Sequence, residues 1–572
     1  MAYVNHYLSD FQTNPTNWKS KDLALYLFSA IATNGSLTNA GLTSTNLLVD
    51  VVQFFTNYVA PDLVNQVSHP ILKVGAIKYI YTFRNQLTKQ QLIETFPLLS
   101  SHFQDANYVV YTYTAITIEK ILAMRNPNNH QELLFDKADI PSNVCQELLM
   151  SLFTLMFKKG ETPEKLAENE FLMKCIMRIL LTAQDSLNEF AVQLLQQLLR
   201  IVDIIGKNPS NPKFSHYTFE SICVLIKYNV NNIEAILETI KPTLLAVLGQ
   251  EIQEFTPYSF QILAYCLEVY PTNKPMPEFY EALVKPLCDP SIWQFRGNIP
   301  ALKRLLQAII QFGPAFFNTA EKVTPILGVF QKLISSKTND HLGFEYLESV
   351  LINIDISILQ SFLNDIGVVI LTRLTRAKTD KFVKRFIVFL CTISTLTVST
   401  TVNNKNQLNS TFAVKLIDNV QPGVFNQLFG SIIVPYITKF NNLLDKKLLV
   451  VGLCNLVTEN GNVIDAERST MAISQLLKLV SSDSIKDYKN INENYELLLE
   501  LDNDDLSFGS SFNRLNIIQN RRFDPIKNEI GSQEALLGYF KMKLSSYDLF
   551  KQQLVFNLDD EAKAVVQQLG LA

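Results

Sequence analysis

The chain has 572 residues, of which 47% are hydrophobic and 18% charged, a balance that can bury a core and excludes wholesale disorder. Its 50 Lys and Arg against 54 Asp and Glu leave a net charge of −4, which lacks the basic excess of a protein that coats nucleic acid. Its 19 glycines are about half the usual share of roughly 7%, too few for the turns of a large all-β protein, so helix is the expected class.

The amino terminus, Met1-Ala-Tyr-Val, has neither the basic start nor the apolar run of a secretory signal, so no export is expected. From there apolar residues recur at helical spacing nearly throughout. Leu23, Leu27, Ala30 and Ile31 form a first stripe, and Val109, Tyr113 and Ile116 a second. Ile299, Leu302, Leu305, Leu306, Ile309 and Ile310 continue the pattern, followed by Ile326, Phe330, Leu333 and Ile334, then Phe382, Phe386, Phe389, Leu390 and Ile393. None of these segments alternates like a strand. Breakers stand between them: Asn14-Pro15, His69-Pro70, Asn126-Pro127, Asn208-Pro209, Asn211-Pro212 and Asp289-Pro290. Trp18 and Trp293 each open a helical stripe and are expected in the core.

The uncharged run from Phe386 to Val402 falls short of the about 20 apolar residues that a membrane span needs, so no insertion is expected. The acids between 483 and 505 predict a solvated loop. Arg373, Arg376, Lys378, Lys381, Lys384 and Arg385, opposed only by Asp380, predict a wet helix face or a basic patch for an acidic partner.

The punctuation divides the chain into helix pairs at an irregular interval of about 40 to 50 residues, the period of HEAT and armadillo arrays. One such pair cannot bury its apolar stripe alone, so stacked pairs in an α-α superhelical solenoid are the expected fold.

Catalytic signatures are absent: no G-x-S-x-G elbow, H-E-x-x-H helix or G-x-G-x-x-G loop occurs. Gly206-Lys207 is followed by Asn208 where a phosphate loop needs Ser or Thr, and Ile201 stands in place of its first glycine, so a helix end is expected there. His216 beside Tyr217 and Glu168 near Glu170 lack catalytic partners at fixed spacing. Seven cysteines, Cys145, Cys175, Cys223, Cys266, Cys288, Cys391 and Cys454, stand apart without a C-x-x-C pair. They read as small core residues of a reducing compartment, and the six scattered histidines offer no zinc set. A binding protein without metal or cofactor is therefore expected. Periodicity alone leaves open a HEAT-repeat scaffold of any assembly.

Several segments carry a more specific resemblance. Trp18-Lys-Ser-Lys-Asp-Leu-Ala-Leu-Tyr-Leu27, Ala76-Ile-Lys-Tyr-Ile-Tyr-Thr-Phe-Arg-Asn-Gln86, Leu166-Ala-Glu-Asn-Glu-Phe-Leu-Met173 and Lys207-Asn-Pro-Ser-Asn-Pro212 resemble the importin-α re-exporters. So do Gln253-Glu-Phe-Thr-Pro-Tyr258, Gly297-Asn-Ile-Pro-Ala301 and Leu327-Gly-Val-Phe-Gln-Lys-Leu-Ile-Ser-Ser-Lys337. These are the CAS/CSE exportins of the importin-β superfamily, and the sequence looks most like their budding-yeast branch. The resemblance implies a HEAT-repeat karyopherin that binds importin-α with GTP-bound Ran, meets nuclear pore proteins and shuttles between nucleus and cytoplasm. It further implies that residues 1–135 correspond to the end of the family's central region and 136–572 to its carboxy-terminal region. Family chains open with an amino-terminal arch that supplies a major Ran surface. Nothing here matches it, which implies an amino-terminally truncated form whose importin-α binding is weak and indifferent to Ran. The basic cluster above, with Arg296, Lys303 and Arg304 beside Gly297-Asn-Ile-Pro, forms the candidate partner-binding set.

Overall fold

A computed structural model describes residues 1–38, 41–65, 67–160, 162–482 and 513–571, with isolated positions between 485 and 501. The acidic stretch at 483–505 lies outside the described residues but for those positions. The chain is 72% helical with almost no strand, as the 3.6-residue spacing requires.

Several breakers act as helix starts. His69 and Asn211 cap the helices Pro70–Phe83 and Pro212–Tyr228, accepting from the N–H groups of Ile71 at 3.3 Å and Phe214 at 3.1 Å, with proline in the first helical position. Thr88 and Gln91 form a reciprocal capping box at Lys89–Ser101. Asn126-Pro127 does something else. It turns a hairpin between Arg125–Asn126 and Asn129–Leu133, and a second small hairpin joins Leu37–Thr38 to Gly41–Leu42. These are the strands that helical periodicity could not reveal.

The chain forms two compact units. The first comprises Met1–Tyr270 and Asn492–Gln519. Its longer helices are α1 (Ala2–Thr13), α2 (Trp18–Ala32), α3 (Pro70–Phe83), α4 (Lys89–Ser101), α5 (Tyr108–Leu122), α6 (Ser142–Lys158), α7 (Glu170–Ala183), α8 (Ala191–Ile205), α9 (Pro212–Tyr228), α10 (Ile233–Gly249) and α11 (Thr256–Glu268). Helices α2, α3, α5, α7, α9 and α11 pack side by side in one layer, and α1, α4, α6, α8 and α10 back them in another. Gly206 closes α8, so Gly206-Lys207 is a helix end as expected.

The second unit comprises Pro271–Ile491 and Asn520–Ala572. Its longer helices are α12 (Glu278–Leu287), α13 (Ile299–Phe312), α14 (Ala320–Ser335), α15 (Asp340–Asn353), α16 (Leu363–Arg376), α17 (Asp380–Thr395), α18 (Ser410–Asp418), α19 (Leu443–Glu459), α20 (Ala466–Ser481), α21 (Gln533–Ser545) and α22 (Asp560–Leu569). Here α13, α15, α17, α19 and α21 form the first layer, with α12, α14, α18 and α20 behind. Helix α16 lies between α14 and α18. In both units each helix pair completes its neighbour's core, as a repeat array requires.

The uncharged run that begins at Phe386 starts in the second half of α17, which is buried from Phe386 to Thr395 because α15, α18 and α19 enclose it. Where α17 meets α19 the backbones nearly touch: a Cβ on Gly452 would stand 2.5 Å from Cys391 Cα. Six cysteines are buried and Cys288 is half-buried, all as free thiols; burial pushes those of Cys145, Cys266, Cys288 and Cys454 up to about 12. Trp293 is buried, its indole N–H donating to Leu287 O at 2.8 Å. Trp18 is half-buried, stacked on the His69 ring at 4.2 Å.

The stripes expected in the second unit are all core: Ile299 to Ile310, Ile326 to Ile334 and Phe382 to Ile393 are buried at every named position. The two in the first unit are not. On α2 the buried face is Ala24, Leu25, Phe28 and Ala32, whereas Leu23 and Ile31 are exposed. On α5 the core takes Val110, Ala115, Ile118 and Leu122, leaving Val109 exposed and Tyr113 and Ile116 half-buried. Both helices carry two apolar faces, and spacing cannot tell which one the fold buries.

Candidate partner-binding surface

The structure splits the basic set in two. Lys303, Arg304, Arg373 and Arg385 are buried, so they do not form the exposed patch that their charge suggests. Arg373 Nη2 lies 2.9 Å from Asp340 Oδ2, with its guanidinium 4.9 Å from the Phe382 ring centre. Arg385 Nη2 lies 2.7 Å from Glu348 Oε2, and Lys303 pairs with Glu345. The reason is repeat geometry: Asp340, Glu345 and Glu348 sit on α15, between the cations of α13, α16 and α17.

These ions form a network. Glu345 also acts on Arg385, as does Asp445 of α19, which pairs with Arg522. Burial works against the Glu345 carboxylate, yet Lys303 and Arg385 hold its pKa down at about 2. Burial pushes the Glu348 carboxyl above its ordinary value against the pull of Arg385. Three cations (Lys303, Arg385, Arg522) thus balance three carboxylates (Glu345, Glu348, Asp445). The carboxylates were the missed half of the cluster, and their signal was opposite charge one repeat away in sequence.

Arg296, Arg376, Lys378 and Lys381 remain exposed and Lys384 half-exposed. Lys381 Nζ lies 3.5 Å from Thr338 O, and Lys384 Nζ lies 5.9 Å from the Phe440 ring centre. Arg376, Lys378 and Lys381 occupy the turn from α16 to α17, hence an edge of the array where one layer passes to the other. There they can attract an acidic surface at long range.

The first unit supplies an apolar surface. Between α2, α3 and α5 runs an open groove whose lining includes Asp22, Tyr26, Ile71, Lys78 and Val109. Tyr26 is 70% and Val109 46% exposed. From α2 it is lined by Asp22, Leu25, Tyr26 and Ser29, and from the exposed face of α5 by Val109. Such a groove can bury the apolar side of a partner helix or segment. Among the described residues no group of three His, Cys, Asp or Glu side chains is placed to hold a metal ion.

Comparisons with known proteins place this architecture. A family model described as the carboxy terminus of CAS/CSE protein matches residues 119–569, and one described as Cse1 matches 1–118, the junction falling inside α5. The importin alpha re-exporter of Saccharomyces cerevisiae is 42% identical over 562 residues, 97% of this chain and 56% of that protein. The importin-alpha re-exporter of Schizosaccharomyces pombe is 39% identical, over 92% of this chain and 54% of its own. Exportin-2 of Homo sapiens is 33% identical, over 95% and 55%. The solved structure of the exportin Cse1 in its cargo-free, cytoplasmic state superposes with a TM-score of 0.83 at 38% identity, covering 100% of this chain and 57% of that one. The chain spans about half the length of the curated relatives it matches. It belongs to the CAS/CSE family of transport receptors, with that family's HEAT-repeat helical fold.

Proposed function

We propose that the protein serves as a nuclear export receptor that returns importin-α to the cytoplasm in company with GTP-bound Ran. The observation that carries this reading is 42% identity, over 97% of the chain, to a yeast importin alpha re-exporter. The receptor works by binding, without catalysis. In a body that contacts both ligands, each would favour the same arrangement of stacked repeats and so strengthen the other, by about 1 to 3 kcal/mol in a typical linked system. The exposed cations at Arg376, Lys378 and Lys381, with Arg296 and Lys384, steer acidic patches of a partner, and the groove at Tyr26 and Val109 supplies apolar burial. Transit between nucleus and cytoplasm, with passing contacts to nuclear pore proteins, follows from the same reading.

Calorimetric titration of the chain with importin-α, in the absence and presence of GTP-loaded Ran, tests it. Saturable importin-α binding is expected. No saturable binding in either condition refutes the reading.

A further inference from the structure

Helix α9 is buried from Phe214 to Ile226, and α11 nearly so, although each has helices on only part of its circumference. What closes the remaining face is a piece of chain from some 250 residues later. Residues 513–519 lie across α11 and α9 with Leu515, Ile517 and Ile518 buried.

The polar contacts of this strap go to its main chain. Gln261 of α11 uses both ends of its amide: Nε2 donates to Asn513 O at 2.9 Å, and Oε1 accepts from Leu515 N–H at 3.0 Å. Glu220 of α9 accepts from two consecutive N–H groups, those of Asn516 at 2.5 Å and Ile517 at 3.1 Å. Lys227 Nζ donates to Ile517 O at 3.4 Å. Behind Glu220 the Tyr258 hydroxyl lies 3.3 Å from His216 Nδ1, and His216 Nε2 lies 3.5 Å from Glu220 Oε1. With the phenol donating to Nδ1, the imidazole proton sits on Nε2 and fixes the carboxylate toward the strap.

A carboxylate and an amide aimed at backbone atoms, flanked by apolar contacts, are a means of reading a peptide. Helix α9 also packs directly on α7, α8 and α11, and α11 on α9 and α10, so the strap is not the sole support of either helix. Ordering seven residues opposes the burial of three apolar side chains and the hydrogen bonds to Gln261, Glu220 and Lys227. We propose that the α9–α11 face is a peptide-binding groove and that residues 513–519 are its resident, exchangeable occupant. The groove takes a short segment that is extended at first and then turns, with the apolar pattern of Leu515-Asn-Ile-Ile518. This holds whichever partner the whole chain serves.

The test uses the full chain. A strap-release variant carries Leu515→Asp and Ile517→Asp, and a fluorescent synthetic peptide matching residues 513–520 is titrated into it by anisotropy. Saturable binding to the release variant is expected, at least tenfold weaker to the parent chain, whose own strap competes, and at least tenfold weaker once Glu220→Ala and Gln261→Ala are added. In the parent chain those two alanine substitutions alone should speed tryptic cleavage after Arg514 at least tenfold. Three results overturn the proposal: a helical release variant that binds no peptide, peptide binding indifferent to Glu220 and Gln261, or loss of helical circular dichroism when the strap is released, which makes the segment part of the core.

Discussion

The ion pair between Arg385 and Glu348 gives a test of where the basic cluster lies. Their side chains are 9% and 5% exposed, and they belong to a network of three cations and three carboxylates. Arg385→Ala leaves that network with one net negative charge in a buried setting. Breaking a buried pair in this way costs about 3 to 5 kcal/mol, whereas replacing both partners by apolar residues of similar volume is often neutral or better. The pair is also incompletely satisfied: Arg385 Nε and Nη1 and Glu348 Oε1 are buried without a hydrogen-bond partner among the described residues. Arg385→Met with Glu348→Leu should therefore recover most of the loss. The chain has two tryptophans, Trp18 in the first unit and Trp293 in the second. In a Trp18→Phe background, urea unfolding followed at Trp293 reports the second unit alone, and urea leaves ionic strength unchanged. With a slope of about 2 to 3 kcal/mol per molar, Arg385→Ala should lower the midpoint by about 1 to 2.5 M. Lys378→Ala, at an exposed site, should stay within about 0.5 kcal/mol of the parent. Equal shifts for Arg385→Ala and Lys378→Ala refute the burial argument. Failure of the apolar pair to recover shows instead that the long side chains matter for packing rather than for charge balance.

Four further outcomes follow from particular contacts. Gly452→Ala should destabilise the second unit by about 1 to 3 kcal/mol, since its Cβ meets Cys391, whereas Gly538→Ala, with open space around it on α21, should stabilise by about 0.4 to 1 kcal/mol; the Trp293 assay reads both. Burial lowers the His216 pKa to about 4, so above pH 6.5 it contributes nothing, and as pH falls the unfolded chain takes a proton that the folded chain refuses. By pH 5 this removes about 2 kcal/mol, and the Trp18 thermal midpoint of His216→Gln should fall less between pH 7.5 and 5 than that of the parent. Tyr26→Ser with Val109→Ser should weaken importin-α binding by about tenfold in calorimetry without loss of helical signal, being a change on an exposed apolar patch. Reversing Arg376, Lys378 and Lys381 to Glu should slow association with importin-α or Ran and flatten its salt dependence; unchanged kinetics assign these side chains to a merely solvated edge.

How far the sequence discloses this fold depends on how one-sided each helix is. The apolar stripe of α13, Ile299, Leu302, Leu305, Leu306, Ile309 and Ile310, reads correctly as core, although Lys303 and Arg304 beside it are buried too. Helices α2 and α5 have two apolar faces. Periodicity identifies them as helices, but Leu23 or Leu25, Val109 or Val110 are equally good candidates for the core until the neighbouring pair is in place. The surplus face is where a surface for another molecule can be built. An apolar stripe that turns up exposed is thus informative through its conflict with the core expectation.

Charge follows the same logic at longer range. Arg385 and Lys378 are indistinguishable in a run of cations, and what separates them is a carboxylate 37 residues earlier that reaches one and not the other. For Glu220 and Gln261 the missing information is more distant still. Each is a polar residue buried within its helix, a position that says a partner must exist, since buried polar groups are costly when left unpaired. That partner lies more than 250 residues along the chain and offers backbone atoms, which carry no sequence signature. Polar side chains buried on the outer faces of a repeat array's helices are therefore the positions at which to look for a bound segment, whether it belongs to the same chain or to another.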